Sequence, residues 1–179
     1  SAFRNTGVIL DVTNLQMPYW LMNFEEHCEA LLTVSGPERQ IDAEILARCL
    51  LQARMKSKLA ENLGKITVDA PIPYLLSDLS AILQNEMGKL DKATTTAPYM
   101  RIKTKLDELK GDPRYQFMFS GMLVNDTMSD FISKMFRMPA RGKPITIIDV
   151  SGVPSEIIST VVALLSRLVF DFAIWSRDE

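Results

Sequence analysis

The hydrophobic pattern changes period along the chain, and each change marks an element. Val8, Ile9 and Leu10, with Val12, make a short apolar run between Gly7 and Asn14, which suits a strand in a sheet interior. Asn23 followed three residues later by Glu26 has the spacing of a capping box and predicts a helix to about Leu32. Ser35-Gly36-Pro37 opens the next helix. Its apolar stripe is Ile41, Ile45, Leu46, Cys49, Leu50 and Ala53, and it is expected to run to about Leu63, before Gly64. Ile66-Thr67-Val68 reads as an extended link into Pro71 and Pro73, and Ser77 as the cap of a helix through about Leu90. Thr94 to Pro98 then reads as a linker before a helix from Tyr99 to Lys110, stopped by Gly111. Asp126 or Thr127 caps another helix through Phe136.

The clearest pattern runs from Gly142 to Trp175. Ile145, Thr146, Ile147 and Ile148 are a β-branched run, expected as a strand ending at Asp149 and covered on both faces, as in a parallel sheet. Ser151-Gly152-Val153-Pro154 makes a turn, and Pro154 or Ser155 is expected to start a helix, with Glu156 against the positive end of its dipole. From Ile157 to Trp175 this helix is apolar nearly all round, which predicts burial on several sides and one of the two greatest helix lengths in the molecule. Arg167 and Asp171 interrupt it four residues apart, placed to pair on one face and costly in lipid.

Two strands separated by roughly 130 residues are too far apart for an ordinary crossover. The expected fold is therefore mostly α with a small β part: a helical insertion flanked by strand–helix pieces of an α/β core. The expected organisation is one domain over 1–179, with the insertion at 35–141 and the strand–turn–helix at 142–179.

Two strings carry a resemblance. GKPITIIDVSGVPSE, followed by ALLSRLVFDFAIWSR, and the earlier NLQMPYWLMNFEE from Asn14 to Glu26 resemble segments of the HerA-type ATPases, hexameric DNA-translocating motors related to FtsK. They lie at opposite ends of the chain in the family's order, and the middle matches only in its helical character. In that family the phosphate-binding Walker A loop precedes the first string, and the Walker B strand with its catalytic glutamate follows the second. The resemblance implies an internal, non-catalytic segment of a P-loop ATPase, cut between those two motifs. Ser1-Ala2 then reads as a cloning remnant and the stop after Asp178-Glu179 as an engineered boundary. It further implies ATP and magnesium in the parent protein, other subunits of a homo-hexameric ring, DNA, and a partner nuclease. The alternative reading is a self-contained helical protein-interaction module without enzymatic activity.

Composition narrows the class. Hydrophobic residues make up 47% and charged residues 23%, which excludes wholesale disorder. A net charge of −2 makes no global electrostatic call for nucleic acid. No apolar run approaches the ~18 residues of a spanning helix, so no membrane partner is expected. Cys28 and Cys49 read as reduced core thiols, which points to the cytoplasm.

The residues for chemistry are sparse. None of the 8 glycines falls in a GxxxxGK[ST] or GxGxxG pattern, so no phosphate cradle is encoded and no cofactor is expected on this chain. Ser151-Gly152 reads as a plain strand–helix turn, and Asp149 as the group that closes it through backbone N–H bonds. His27 is the only histidine; Glu25, Glu26 and Cys28 beside it point to different helical faces, so neither a metal site nor a Ser–His–Asp set is expected. Asp178-Glu179 follows a helix end, whereas a Walker B pair needs an apolar strand before it. The 10 methionines read as adaptable core filler. One charge feature remains: Lys134, Arg137, Arg141 and Lys143 fall within ten residues with no acid among them, a strip that could face a DNA backbone or simply be solvated.

Overall fold

A computed structural model describes residues 6–90, 93–125 and 128–178. Gly7–Leu10 (β1) and Ile145–Ile148 (β2) pair in parallel, with Val8 opposite Thr146 and Leu10 opposite Ile148. Seven α-helices are described: Phe24–Leu31 (α1), Pro37–Met55 (α2), Leu76–Met87 (α3), Ala93–Gly111 (α4), Gln116–Phe119 (α5), Met128–Phe136 (α6) and Ile158–Trp175 (α7). Short 3-10 turns at Tyr19–Leu21, Lys58–Asn62, Pro113–Tyr115, Gly121–Val124 and Ser176–Asp178 complete the described elements. The chain is thus mostly helical with a small β part, as the pattern predicts. Helices α2, α3 and α4 pack on one another, while α1 packs on both α2 and α7 and so joins the helical block to the strand–helix end.

Several boundaries differ from the sequence expectation. The second helix stops at Met55 instead of Leu63, because the backbone turns extended at Ser57. Of its predicted stripe, Leu46, Cys49, Leu50 and Ala53 are fully buried, but Ile41 faces solvent. Ser77 does not cap α3; it lies inside the first turn, and Leu75 holds the cap position with no side-chain bond. Thr94–Pro98 is not a linker. These residues belong to α4, and Pro98 sits within the helix at the cost of one backbone bond. Burial of Ile102, Leu106 and Leu109 along the same helix outweighs that loss. Asp126 and Thr127, the expected cap of α6, lie outside the described residues, as do Ser1-Ala2 and Glu179.

The methionines divide. Met17, Met22, Met118 and Met135 fill the core, while Met100, Met122 and Met138 are exposed.

The β2–α7 unit departs most from expectation. Only one face of the strand pair is covered: Val8 and Ile148 pack on the core, while Ile9 and Ile145 on the other face are exposed. The helix begins at Ile158, because Pro154 to Ile157 form a turn closed by the Ile157 N–H on the Pro154 carbonyl. It is 18 residues long, one shorter than α2 and α4. Its burial is one-sided, on a stripe of Thr160, Val161, Leu164, Leu165 and Leu168, and only 28% of the helix is buried. By length and composition it could cross a membrane, contrary to the expectation that no run approaches that length, because only two charges interrupt it. Of those two charges, Arg167 docks the helix onto the rest of the molecule, and Asp171 pairs with Arg167 along the same helix.

Candidate functional site

The carboxyl ends of β1 and β2 lie side by side, the place where α/β proteins collect functional groups. Asp11 follows β1 and Asp149 follows β2. The Asp149 N–H donates to the Leu10 carbonyl at 2.7 Å, continuing the ladder one step. Each carboxylate turns onto its own loop: Asp11 accepts from the Thr13 hydroxyl and N–H, and Asp149 from the Ser151 N–H at 2.9 Å. These bonds hold both groups below the usual carboxylate range, so both are ionised at neutral pH. Asp149 therefore closes the turn, as its sequence context predicts.

This corner does not suit a nucleotide phosphate. A Cβ placed on Gly152 would lie 2.8 Å from Cγ2 of Val12, so the missing side chain serves close packing between the two turns. The nearby fixed charges are the negative Asp11 and Asp149, which oppose an anion. ATP with magnesium does not fit the residues present here, and no chemical step is assigned to it on this chain.

The second constellation is a clamp between the two ends of the chain. Arg167 donates to Glu26 through Nε and a terminal nitrogen, both at 2.9 Å, to the Leu21 carbonyl at 2.8 Å, and to Asp171 at 3.3 Å. The predicted i,i+4 pair with Asp171 forms, but Glu26 is the closer partner. Glu26 is buried and also accepts from the Asn23 N–H at 2.8 Å, completing the capping box of α1. One carboxylate thus caps α1 and anchors α7. Beside it an open cleft of about 540 Å³ is lined by Asn23, Phe24, Asp69, Arg167, Asp171 and Trp175, among others.

Behind the clamp lies a buried polar network. His27 Nδ1–H donates to the Asn23 carbonyl at 2.7 Å, and Nε2 accepts from the Tyr74 hydroxyl at 2.9 Å. The Tyr19 hydroxyl donates to the Tyr74 carbonyl. Arg54, fully buried, donates to the carbonyls of Met22 and Ala70. Burial, with the Arg54 charge adding to it, pushes the His27 imidazole down to about 3. His27 is therefore a neutral core residue, and among the described residues no His/Cys/Asp/Glu group could hold a metal ion.

A pH dependence follows. The unfolded chain takes up a proton on His27 below pH ~6.5, while the folded chain does so only near 3, so stability falls as pH drops through that interval. From pH 7.5 to 5 the expected loss from this group is about 2 kcal/mol. Urea denaturation of the wild type and of His27→Gln at both pH values checks it: the variant should lose this part of the pH dependence, and equal dependence in both proteins would exclude His27 as its source.

The basic strip is only partly free. Lys134 donates to the Asn14 carbonyl, and Arg137 folds back on the carbonyls of Lys143 and Ala140, at 2.8 and 3.1 Å. Lys134 thus ties α6 to the loop after β1, and Arg137 braces the loop between α6 and β2. Arg141, at φ +47°, and Lys143 are exposed. Asp130 shares the shallow hollow that Lys134, Arg137 and Arg141 line, so the local field is less positive than the sequence strip suggests.

The ion pair of Glu26 with Arg167 brings together the two strings set apart by their sequence, beside the parallel pairing of β1 with β2. A family model described as the central domain of the helicase HerA matches residues 1–169. The chain belongs to the HerA central-domain family. No curated protein matches it. The first HerA-like string and the second as far as Val169 fall within the matched span, as do Glu26 and Arg167, and the family places the chain with proteins of ATPase and helicase type. Sequence reasoning found Asp149 and the Arg167–Asp171 pair. It missed Glu26 as the main partner of Arg167, although the capping-box signal had already marked Glu26 as a side chain turned back toward its own helix start.

Proposed function

We propose that the chain is a non-catalytic internal segment of a HerA-like DNA-translocating ATPase, contributing two core strands and a helical block. The observation that carries this reading is the β1–β2 pair. Two adjacent parallel strands with free outer edges and one bare face have the form of an incomplete sheet. Their carboxyl ends present turn-closing aspartates instead of a phosphate cradle. In this reading ATP and magnesium are held by groups that the chain does not carry. In this reading the whole protein is a homo-hexameric ring that works on DNA with a partner nuclease, and the two buried free thiols fit a reducing, cytoplasmic setting. The isolated chain is expected neither to bind nor to hydrolyse ATP. Titration calorimetry with ATP and magnesium tests this, and a micromolar Kd would refute the non-catalytic assignment.

Within the same reading DNA contact falls to Arg141 and Lys143, because Lys134 and Arg137 are engaged by backbone carbonyls. In the full-length protein, Arg141→Ala with Lys143→Ala should weaken DNA binding alike for all sequences. It should also reduce the slope of log K against log salt by about 2. DNA-independent ATP hydrolysis should be unchanged. A wild-type salt slope in the double variant would remove this strip from the DNA path.

A further inference from the structure

The cleft beside the Glu26–Arg167 clamp joins two kinds of surface. Phe24, Pro71 and Trp175 give it apolar and aromatic walls, and Glu25, Asp69 and Asp171 give it carboxylates. Trp175, at the end of α7, is 63% exposed, and among the described residues no ring or cation lies over its indole. Glu25 makes no ion pair among the described residues, and the Asp69 carboxylate accepts the Phe24 N–H at 2.9 Å. Asp171 has only a share of Arg167, at 3.3 Å, because Glu26 holds that guanidinium more closely. Arg54, within electrostatic reach of Asp69, is buried and held by the Met22 and Ala70 carbonyls. Negative charge is therefore in excess at the cleft, which opposes phosphate and nucleic acid. Among the described residues no acidic group could hold a metal ion, so the carboxylates are spread around the cleft and not converged on one point.

We propose that this cleft receives an arginine side chain from a partner protein. Arginine has the two properties that the cleft matches: an apolar stem to pack on Phe24, Pro71 and Trp175, and a charged head for Glu25, Asp69 and Asp171. An indole is the best cation–π surface, and a guanidinium stacked on it keeps its N–H groups free to reach carboxylates, so arginine fits better than lysine. The volume of about 540 Å³ accommodates such a side chain with its adjoining backbone. Exposed Phe170 and Ile174 lie next to Asp171 and Trp175 along α7, and a protein segment would cover them where a free amine would not. A second copy of the chain is a poor source of the cation, because most of its own are committed. Arg39 pairs with Glu29, Lys56 with Asp78, Arg101 with Asp42 and Lys103 with Asp107, while Arg137 braces a loop. The proposal is independent of the ATPase reading, since it involves neither nucleotide nor DNA.

Fluorescence titration of the 179-residue chain tests it. Of its 2 tryptophans, Trp20 is buried with its ring N–H on the Leu123 carbonyl, so a change in emission reports Trp175. The peptide acetyl-Leu-Arg-Leu-amide is expected to give a saturable change with a Kd on the order of 1 mM. The matching citrulline peptide, which keeps the shape and loses the charge, should bind about tenfold more weakly or not at all. Glu25→Gln with Asp69→Asn should weaken the arginine peptide by about tenfold at unchanged circular dichroism, since an amide oxygen still accepts the Phe24 N–H. No saturable change up to about 10 mM overturns the proposal, as does equal binding of the citrulline peptide or by the double variant. Agmatine, a free guanidinium amine, binding as tightly as the peptide would assign the cleft to a small cation and overturn the protein assignment. Self-association of the wild type that the double variant loses would place the cation on a second copy, with the same consequence.

Discussion

Arg167→Met is expected to lower the unfolding free energy by about 3 kcal/mol, read as a fall in urea midpoint at constant slope. The reason is the buried carboxylate left behind. Glu26 accepts two charge-assisted bonds from Arg167 and keeps only the Asn23 N–H when the guanidinium is removed. The Leu21 carbonyl loses its donor at the same time. Glu26→Leu combined with Arg167→Met should recover part of the loss, because an apolar pair leaves no charge to desolvate. The recovery will be incomplete, since Glu26 also closes the capping box of α1. A single variant within 0.5 kcal/mol of wild type would show that the clamp does not hold the two ends together.

The second large effect lies on the other side of the same helix. Leu165→Asp is expected to abolish cooperative folding. Leu165 is 8% exposed and sits in the stripe that α7 presents to the core. An unpaired carboxylate there costs several kcal/mol, a large fraction of the stability of a domain this size. Leu165→Ala separates charge from packing: it should fold with a loss of about 2–3 kcal/mol from the cavity alone. A soluble Leu165→Asp protein with a sharp thermal transition would contradict the burial of this stripe.

Features encoded by neighbouring residues were legible in the sequence, and those created by distant ones were not. The capping box at Asn23 and Glu26 is a local pattern, and both bonds form. The β-branched run at Ile145–Ile148 and the Asp149 turn likewise need only adjacent residues. The bare side of α7 was hidden because all-round apolarity reads as burial, and period analysis cannot distinguish a core-facing Leu164 from a solvent-facing Phe170. Thr94–Pro98 carries loop composition, yet tertiary packing of α4 overrides it. Glu26 and Arg167 lie 141 residues apart, and Arg54 binds carbonyls whose positions no spacing rule gives. The charged strip failed in the other direction: a cluster in sequence became two loop-bracing side chains and two free ones once the backbone turned at Arg137 and Arg141.

The pairing of β1 with β2 also constrains the order in which the chain is assembled. Gly7 must find Ile145 across almost the whole polypeptide, and closing so long a loop costs about 4 kcal/mol in chain entropy before any ladder bond forms. The contacts among α2, α3 and α4 span far shorter separations and form without that cost. Once packed, the block brings the two distant segments closer and shortens the effective loop. The strand pair, with two free edges and four residues a side, is then the last part to consolidate and the first to open. Its amides should exchange with solvent well before those of α2. On a ribosome β1 must wait for this pairing until residue 145 has emerged.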